Sequence, residues 1–241
     1  MAIKQAFVLA GGKGERLRPL TNNIPKPLVE VCAKPILQYS VELLAKHGVR
    51  EIILATGYMH EKIEKYFGSG EKFGLSIVYS VENEPLGTGG ALKQAQEMLD
   101  GSFFMLNGDN IADYNLKKMA KEHFLHRAQG TIALSKVDDA SSYGVARLEG
   151  KMIAEFVEKP PKGAEPGNFV NAGAYVLEKK CLEHIPEGFN LIEKTLFPRL
   201  ASGRLLFGHI HNGYWYTTDT PERLGAAQSG MQKAPKPSKQ L

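Results

Sequence analysis

The chain has 241 residues, 43% hydrophobic and 23% charged, an ordinary globular composition with enough length for one large or two small domains. No apolar run approaches the roughly 20 residues that cross a bilayer, and no signal-peptide pattern opens the sequence, so a cytoplasmic location without a membrane partner is expected. The net charge of +4 falls to +1 without Lys233, Lys236 and Lys239, all in the terminal "QKAPKPSKQL", so no nucleic-acid partner is required. Cys32 and Cys181 make neither a disulfide framework nor a metal-binding spacing.

In chain order, "IKQAFVLA" reads as a buried strand stopped by glycine. "PILQYSVELLAKHGV" places Ile36, Leu37, Val41, Leu44 and Ala45 at helical spacing, with Pro35 near its first turn and Gly48 at its end. "EIILAT", "LSIVYSV" and "SFFMLNGD" read as strands, and "MHEKIEKYFG" and "GGALKQAQEML" as helices. This alternation indicates βαβ crossovers and a mostly parallel, doubly wound sheet. From about residue 130, "TIALSKV", "YGVARLE", "MIAEFVEK" and "FVNAGAYVLE" read as strands with short turns, followed by helices around "LIEKTLFPRLA" and "PERLGAAQSG". The second half is therefore expected to be α+β with antiparallel pieces, packed onto the first half's sheet. Residues 1–231 form one domain in this reading, and 232–241, rich in lysine and proline, form a disordered tail.

Ligands of open α/β sheets bind outside the carboxyl ends of strands. That predicts a site built from the loops after "FVLA", "VYSV" and "FMLNGD", with "FVEK" as a further candidate. "LAGGKGERLRPLT" sets Gly11, Gly12 and Gly14 among Lys13, Arg16 and Arg18, a loop whose amides and cations suit a phosphate. It lacks the Gly-Lys-Ser/Thr ending of a P-loop, and Leu17 stands where a dinucleotide fingerprint needs its third glycine, which argues against an NAD-dependent oxidoreductase. In "PKP", Pro25 and Pro27 restrict the backbone around Lys26 and hold its ammonium in place. In "ENEPLGTGGALK", glycines 87, 89 and 90 lead into a helix, offering amides to a base or phosphate. Asp109 ends an apolar strand, a position suited to Mg²⁺ or to a turn. Glu158 and Lys159 in "FVEKP" and Asn171 in "NAG" suit a phosphorylated sugar or, alternatively, a surface ion pair.

Together and in this order, these motifs resemble those of the sugar-1-phosphate nucleotidylyltransferases, over roughly residues 3–225. The resemblance implies a Rossmann-like three-layer α/β fold with a mixed, mostly parallel central sheet. It divides the domain into a nucleotide-binding part, about 1–130, and a sugar-phosphate-binding part, about 131–231. The implied reaction transfers a nucleoside monophosphate from a nucleoside triphosphate to a sugar 1-phosphate and releases pyrophosphate, with Mg²⁺ as cofactor. "PKPLVEV" and "EPLGTGG" are most similar to mannose-1-phosphate guanylyltransferases, while glucose-1-phosphate thymidylyl- and uridylyltransferases share the scaffold.

By the same resemblance, Leu9, Ala10, Gly11, Gly12 and Gly14 hold the nucleotide phosphates, Arg16 stabilises departing pyrophosphate, and Lys26 meets the α-phosphate. Glu84, Gly87, Thr88 and Gly89 border the base. Asp109 binds the metal, Lys159 holds the sugar phosphate, and Gly144, Glu158 and Asn171 face sugar hydroxyls. One departure stands out: many members carry an aspartate two residues after a tryptophan as a second metal ligand, and "WYTTDTPERL" has Thr217 there, with Asp219 two positions on. Asp219 is then the candidate second ligand. Alternatively Asp109 suffices, or the chain is a weakly catalytic regulatory subunit that binds nucleotide sugar. No hexapeptide repeat occurs before Leu241, so the β-helix module of many relatives is not expected. A homo-oligomer is compatible with the sequence but not legible in it.

Overall fold

The computed structural model describes residues 2–233. The expected tail falls largely outside them, while Gln232 and Lys233 lie in the last helix. The first half runs β1 (Gln5–Leu9), the short pair β2 (Glu30–Val31) and β3 (Lys34–Pro35), α1 (Ile36–Lys46), β4 (Glu51–Thr56), α2 (His60–Phe67), β5 (Ser76–Val81), α3 (Gly87–Gln94) and β6 (Ser102–Asn107). Then follow β7 (Asn110–Ala112), α4 (Leu116–Leu125), β8 (Gly130–Lys136), β9 (Gly144–Glu149), β10 (Met152–Glu158) and β11 (Phe169–Glu178). The chain closes with α5 (Leu196–Ser202), β12 (Leu206–Ile210), β13 (Trp215–Thr217) and α6 (Pro221–Lys233).

Nine strands form one sheet in the order β5-β4-β1-β6-β11-β8-β12-β10-β9. The β5-β4-β1-β6 half is parallel, as the βαβ alternation requires. Strand β11 then pairs antiparallel with both β6 and β8. The second half therefore continues the first sheet edge to edge instead of lying on its face. Strand β12 runs parallel to β8, a pairing that the expected antiparallel pieces did not include.

The central strands are apolar at consecutive positions because both faces are covered. On one face, Val8, Leu54 and Leu106 pack with Leu37 and Val41 of α1, Phe67 of α2 and Met119 of α4. On the other, Phe7, Ile53, Met105 and Tyr175 pack with Leu92 of α3 and Phe197 of α5. Each large side chain buried this way contributes about 1.5–3 kcal/mol. The layers are thus helix, sheet, helix, and every parallel strand ends at the same rim.

Helix α4 is absent from the sequence reading above. Its buried Leu116, Met119, Ala120 and His123 follow helical spacing, and Asn115 caps its start by accepting from the Lys118 amide at 3.0 Å. The lysines along it mask the short stripe. Strands β7, β12 and β13 are short, and their pairing is set by distant partners.

One long-range contact fixes the start of α3. The segment Pro186–Thr195 docks there, and Asn190 donates its amide to the Leu86 carbonyl at 2.9 Å. A Cβ on Gly90 would lie 2.2 Å from the Gly188 carbonyl oxygen, and backbone cannot easily give way. Gly90→Ala is therefore expected to cost about 1–3 kcal/mol, as overpacking does. Urea unfolding reads this directly, and an unchanged midpoint would show that the segment does not sit on the helix.

Candidate active site

Loops at the carboxyl ends of β1, β4, β5 and β6 enclose a cavity of about 960 Å³. The loop after β4, with Gly57 and Tyr58, was not anticipated. Leu9 and Ala10 lead into it: Ala10 donates its amide to Ala55 at 2.8 Å, and Leu9 accepts from the Gly108 amide at 2.9 Å. These bonds bring the ends of β1, β4 and β6 together at one edge of the cavity.

The glycines of the first loop do different work. A Cβ on Gly11 would lie 2.9 Å from Glu82 Oε1, so glycine lets that carboxylate approach. Around Gly12 there is open space. Gly14 has a left-handed backbone with φ +64°, and a Cβ there would meet Lys26 Cβ at 2.9 Å. The Gly14 carbonyl accepts from the Thr21 hydroxyl at 2.8 Å and from the Leu17 amide at 2.9 Å. The turn Glu15–Leu17 that follows carries Arg16 to the cavity wall.

Lys26 opens a turn over Lys26–Leu28, preceded by extended Pro25 and followed by Pro27. Its side chain is 10% exposed, and its ammonium donates to Asp109 Oδ2 at 2.7 Å. Asp109 follows the end of β6 and is 41% exposed, so its carboxylate also meets the cavity. The Thr218 hydroxyl, on a fully buried residue, donates to the Asp109 carbonyl at 2.7 Å and ties the chain after β13 to this position. Thr217 itself pairs in register with Asn110, the residue after Asp109.

Asp219 lines the cavity, but its two oxygens meet guanidinium groups: Oδ2 lies 2.7 Å from Arg16 Nη1, and Oδ1 lies 2.9 Å from Arg223 Nη1. Burial alone would raise its carboxyl pKa; Arg223 and Arg16 outweigh that and hold it below the ordinary carboxylate value. The sequence reading offered Asp219 as a metal ligand, and here it faces two cations.

Glu84, Gly87 and Thr88 line the opposite side with Phe189 and Leu191. Gly89 does not. The amides of Gly89 and Gly90 both donate to the Asn190 carbonyl, at 3.0 and 3.4 Å, so they are taken by the chain and not offered to a ligand. The Thr88 hydroxyl donates to Glu193 Oε2 at 2.6 Å and accepts from the Ile192 amide at 3.0 Å. Burial raises the Glu193 carboxyl pKa above its ordinary value, and the Thr88 bond opposes the shift. Glu82 is likewise raised by burial, although the Leu86 amide donates to it at 3.0 Å.

The four residues assigned to the sugar phosphate do not line this cavity. Gly144 and Glu158 face each other in register on β9 and β10, and a Cβ on Gly144 would meet Glu158 Oε2 at 2.8 Å. Lys159 has a left-handed backbone, φ +48°, and donates its amide to the Tyr143 carbonyl at 2.9 Å. Its ammonium is 3.6 Å from Glu158 Oε1. Asn171 donates to the Tyr175 hydroxyl at 2.9 Å and accepts from the Gly173 amide at 3.0 Å. A Cβ on Gly173 would in turn meet Asn107 Nδ2 at 3.0 Å, so this group adjoins the cavity through Asn107. The buried Oδ1 of Asn107 has no hydrogen-bond partner among the described residues.

Glu82, Asn190, Glu193 and Arg223 shape this site and were not singled out from sequence. Glu82 stands at the head of a quoted motif, and Arg223 stands four residues after Asp219 on a helix, so both left a local signal. Asn190 and Glu193 act through contacts with α3 that no local pattern announces.

A family model described as "Nucleotidyl transferase" matches residues 5–233. The chain is 42% identical over 228 residues to mannose-1-phosphate guanyltransferase of Candida albicans and 43% identical over 224 residues to mannose-1-phosphate guanylyltransferase catalytic subunit beta of Danio rerio. Each alignment covers 90% of this chain and 62% of the relative, so the chain spans about three fifths of those proteins' length. Among solved structures, HddC from Yersinia pseudotuberculosis complexed with GMP-PN superposes with TM-score 0.80 at 28% identity, covering 95% of this chain and all of that one. UDP-glucose pyrophosphorylase complexed with UDP-glucose gives TM-score 0.85 at 22% identity, covering 96% of this chain and 99% of that one, and shares the fold. With the family model matching nearly the whole described chain, over the same loops that build the cavity, the protein belongs to the nucleotidyl transferase family.

Proposed function

We propose that this chain transfers a nucleoside monophosphate from a nucleoside triphosphate to a sugar 1-phosphate, and that its preferred pair is GTP and mannose 1-phosphate. The observation that carries the reading is one cavity, at the carboxyl ends of the parallel strands, holding the glycine loop, Arg16 and the Lys26–Asp109 pair together. The preference for guanosine and mannose rests on the names of relatives about 42% identical over most of this chain.

In this reading an oxygen of the sugar phosphate attacks the α-phosphorus in line, the bond to the bridging oxygen breaks, and pyrophosphate leaves with that electron pair. No enzyme nucleophile is needed, so the side chains act by placing reactants and stabilising charge. Amides of the Gly11–Gly14 loop and the Lys13 and Arg16 cations meet the β- and γ-phosphates. The Lys26 ammonium, held by its flanking prolines, meets the α-phosphate as negative charge gathers there. Lys159 neutralises the sugar phosphate.

Mg²⁺ fits this donor set. Among the described residues no group of three or more acidic, histidine or cysteine side chains gathers to cage a metal. Mg²⁺ does not require one, because it is held by one or two carboxylates together with substrate phosphates and water. Asp109 supplies a partly exposed carboxylate at the cavity. When bound, the ion would neutralise charge on the triphosphate.

Turnover with GTP and mannose 1-phosphate is expected to exceed that with dTTP or UTP and glucose 1-phosphate, and activity confined to a pyrimidine triphosphate would overturn the guanylyl preference. Thr217→Asp restores a carboxylate beside Asn110, so it is expected to leave turnover unchanged or raised and to lower the Mg²⁺ concentration for half-maximal rate. A clear loss of turnover would show that the site is organised without a carboxylate at this position.

A further inference from the structure

The segment after β13 carries an acidic residue whose place the reaction does not explain. Asp219 is 14% exposed at its side chain and sits between Arg16, 70% exposed, and Arg223, 34% exposed. Both ends of this line are anchored. On one side the neighbouring Thr218 hydroxyl binds the Asp109 carbonyl. On the other, Arg223 lies 3.5 Å from the Ser142 hydroxyl, with its guanidinium carbon 5.2 Å from the centre of the Tyr143 ring. The Tyr143 carbonyl in turn holds the Lys159 amide.

We propose that Asp219, backed by Arg223, is a positioning residue that holds the Arg16 guanidinium at the phosphate side of the cavity, and that it serves this arginine instead of a metal ion. The proposal rests on the transferase reading above. An exposed arginine on a surface turn samples many rotamers, and fixing it on a ligand costs entropy that a preformed ion pair has already removed. Arginine carries five N–H donors, and the Asp219 contact engages Nη1, so others remain for phosphate oxygens. One carboxylate shared between two guanidinium groups leaves the trio with a net positive charge, so the site still attracts a triphosphate. A metal ion at Asp219 would compete with two guanidinium groups for one carboxylate's charge. Asp109 has no such double claim: Lys26 meets Oδ2 alone.

The test is a double-mutant cycle over Arg16→Ala and Asp219→Asn, read by kcat, by KM for the triphosphate and by the calorimetric affinity for magnesium pyrophosphate. Asp219→Asn is expected to lower kcat and pyrophosphate affinity about tenfold, the size of one charge-assisted hydrogen bond, with a smaller change in KM. Asp219→Glu should recover much of the loss, and Arg223→Gln should weaken the enzyme in the same direction. In the Arg16→Ala background, Asp219→Asn should add less than about twofold, because the partner it positions is gone. The Mg²⁺ concentration for half-maximal rate should stay unchanged throughout. Independent, multiplicative losses, or a several-fold rise in the Mg²⁺ requirement that persists without Arg16, would overturn the positioning role while leaving the transferase reading intact. A wild type that turns over no substrate pair would overturn the transferase reading, and the pyrophosphate calorimetry would still report whether Arg16 and Asp219 are coupled.

Discussion

Lys26→Ala is expected to lower turnover at least about a hundredfold, about 2.7 kcal/mol of transition-state stabilisation, without unfolding the protein. The reason lies in placement. Lys26 is nearly buried, its backbone is fixed between Pro25 and Pro27, and its ammonium is already 2.7 Å from Asp109. Such a cation does not reorganise when charge develops on the α-phosphorus, which is the condition under which an electrostatic contact lowers a barrier. The residue it leaves behind, Asp109, is 41% exposed and regains water, so the stability cost stays small. Added Mg²⁺ should not rescue this variant. Stopped assays of pyrophosphate release, beside a thermal melt, separate the two effects, and near-normal turnover would remove Lys26 from the mechanism.

Asp109→Asn is expected to reduce turnover by a similar factor, at least about a hundredfold, but with a different signature. The amide oxygen can still accept from Lys26, so the local geometry survives and only the charge is lost. If Asp109 contributes the metal carboxylate, the Mg²⁺ concentration for half-maximal rate must rise, and excess Mg²⁺ must return part of the activity. A loss that Mg²⁺ cannot change would place Asp109 with Lys26 as an electrostatic pair and leave the ion to the substrate phosphates. The two variants therefore read different halves of one 2.7 Å contact.

Much of this site was legible because its parts are local. Gly11, Gly12 and Gly14 stop a strand, Pro25 and Pro27 bracket Lys26, and Asp109 follows an apolar run. Each pattern carries its own conformational meaning, and the parallel strands bring the three to a single rim. The strands β4 and β6 were legible for the same reason, through runs buried on both faces, and the edge strand β5 through its apolar, branched sequence. What escaped depends on distance along the chain. The Gly89 and Gly90 amides look open in sequence because nothing nearby binds them, yet the Asn190 carbonyl, about a hundred residues later, takes both. Likewise, nothing local to Asp219 announces its ion pair with Arg16, about two hundred residues earlier. The second half was read as packing on the first sheet because antiparallel strands carry no signal of which edge they join, and β11 joins β6.

The most direct measurement is pyrophosphate release with Mg²⁺ for each nucleoside triphosphate against mannose, glucose and N-acetylglucosamine 1-phosphates. The account predicts strong release in one combination, GTP with mannose 1-phosphate, and its loss in Lys26→Ala. Folded protein that binds a nucleotide sugar but releases no pyrophosphate from any pair would contradict the account and point to a regulatory, noncatalytic member of the family.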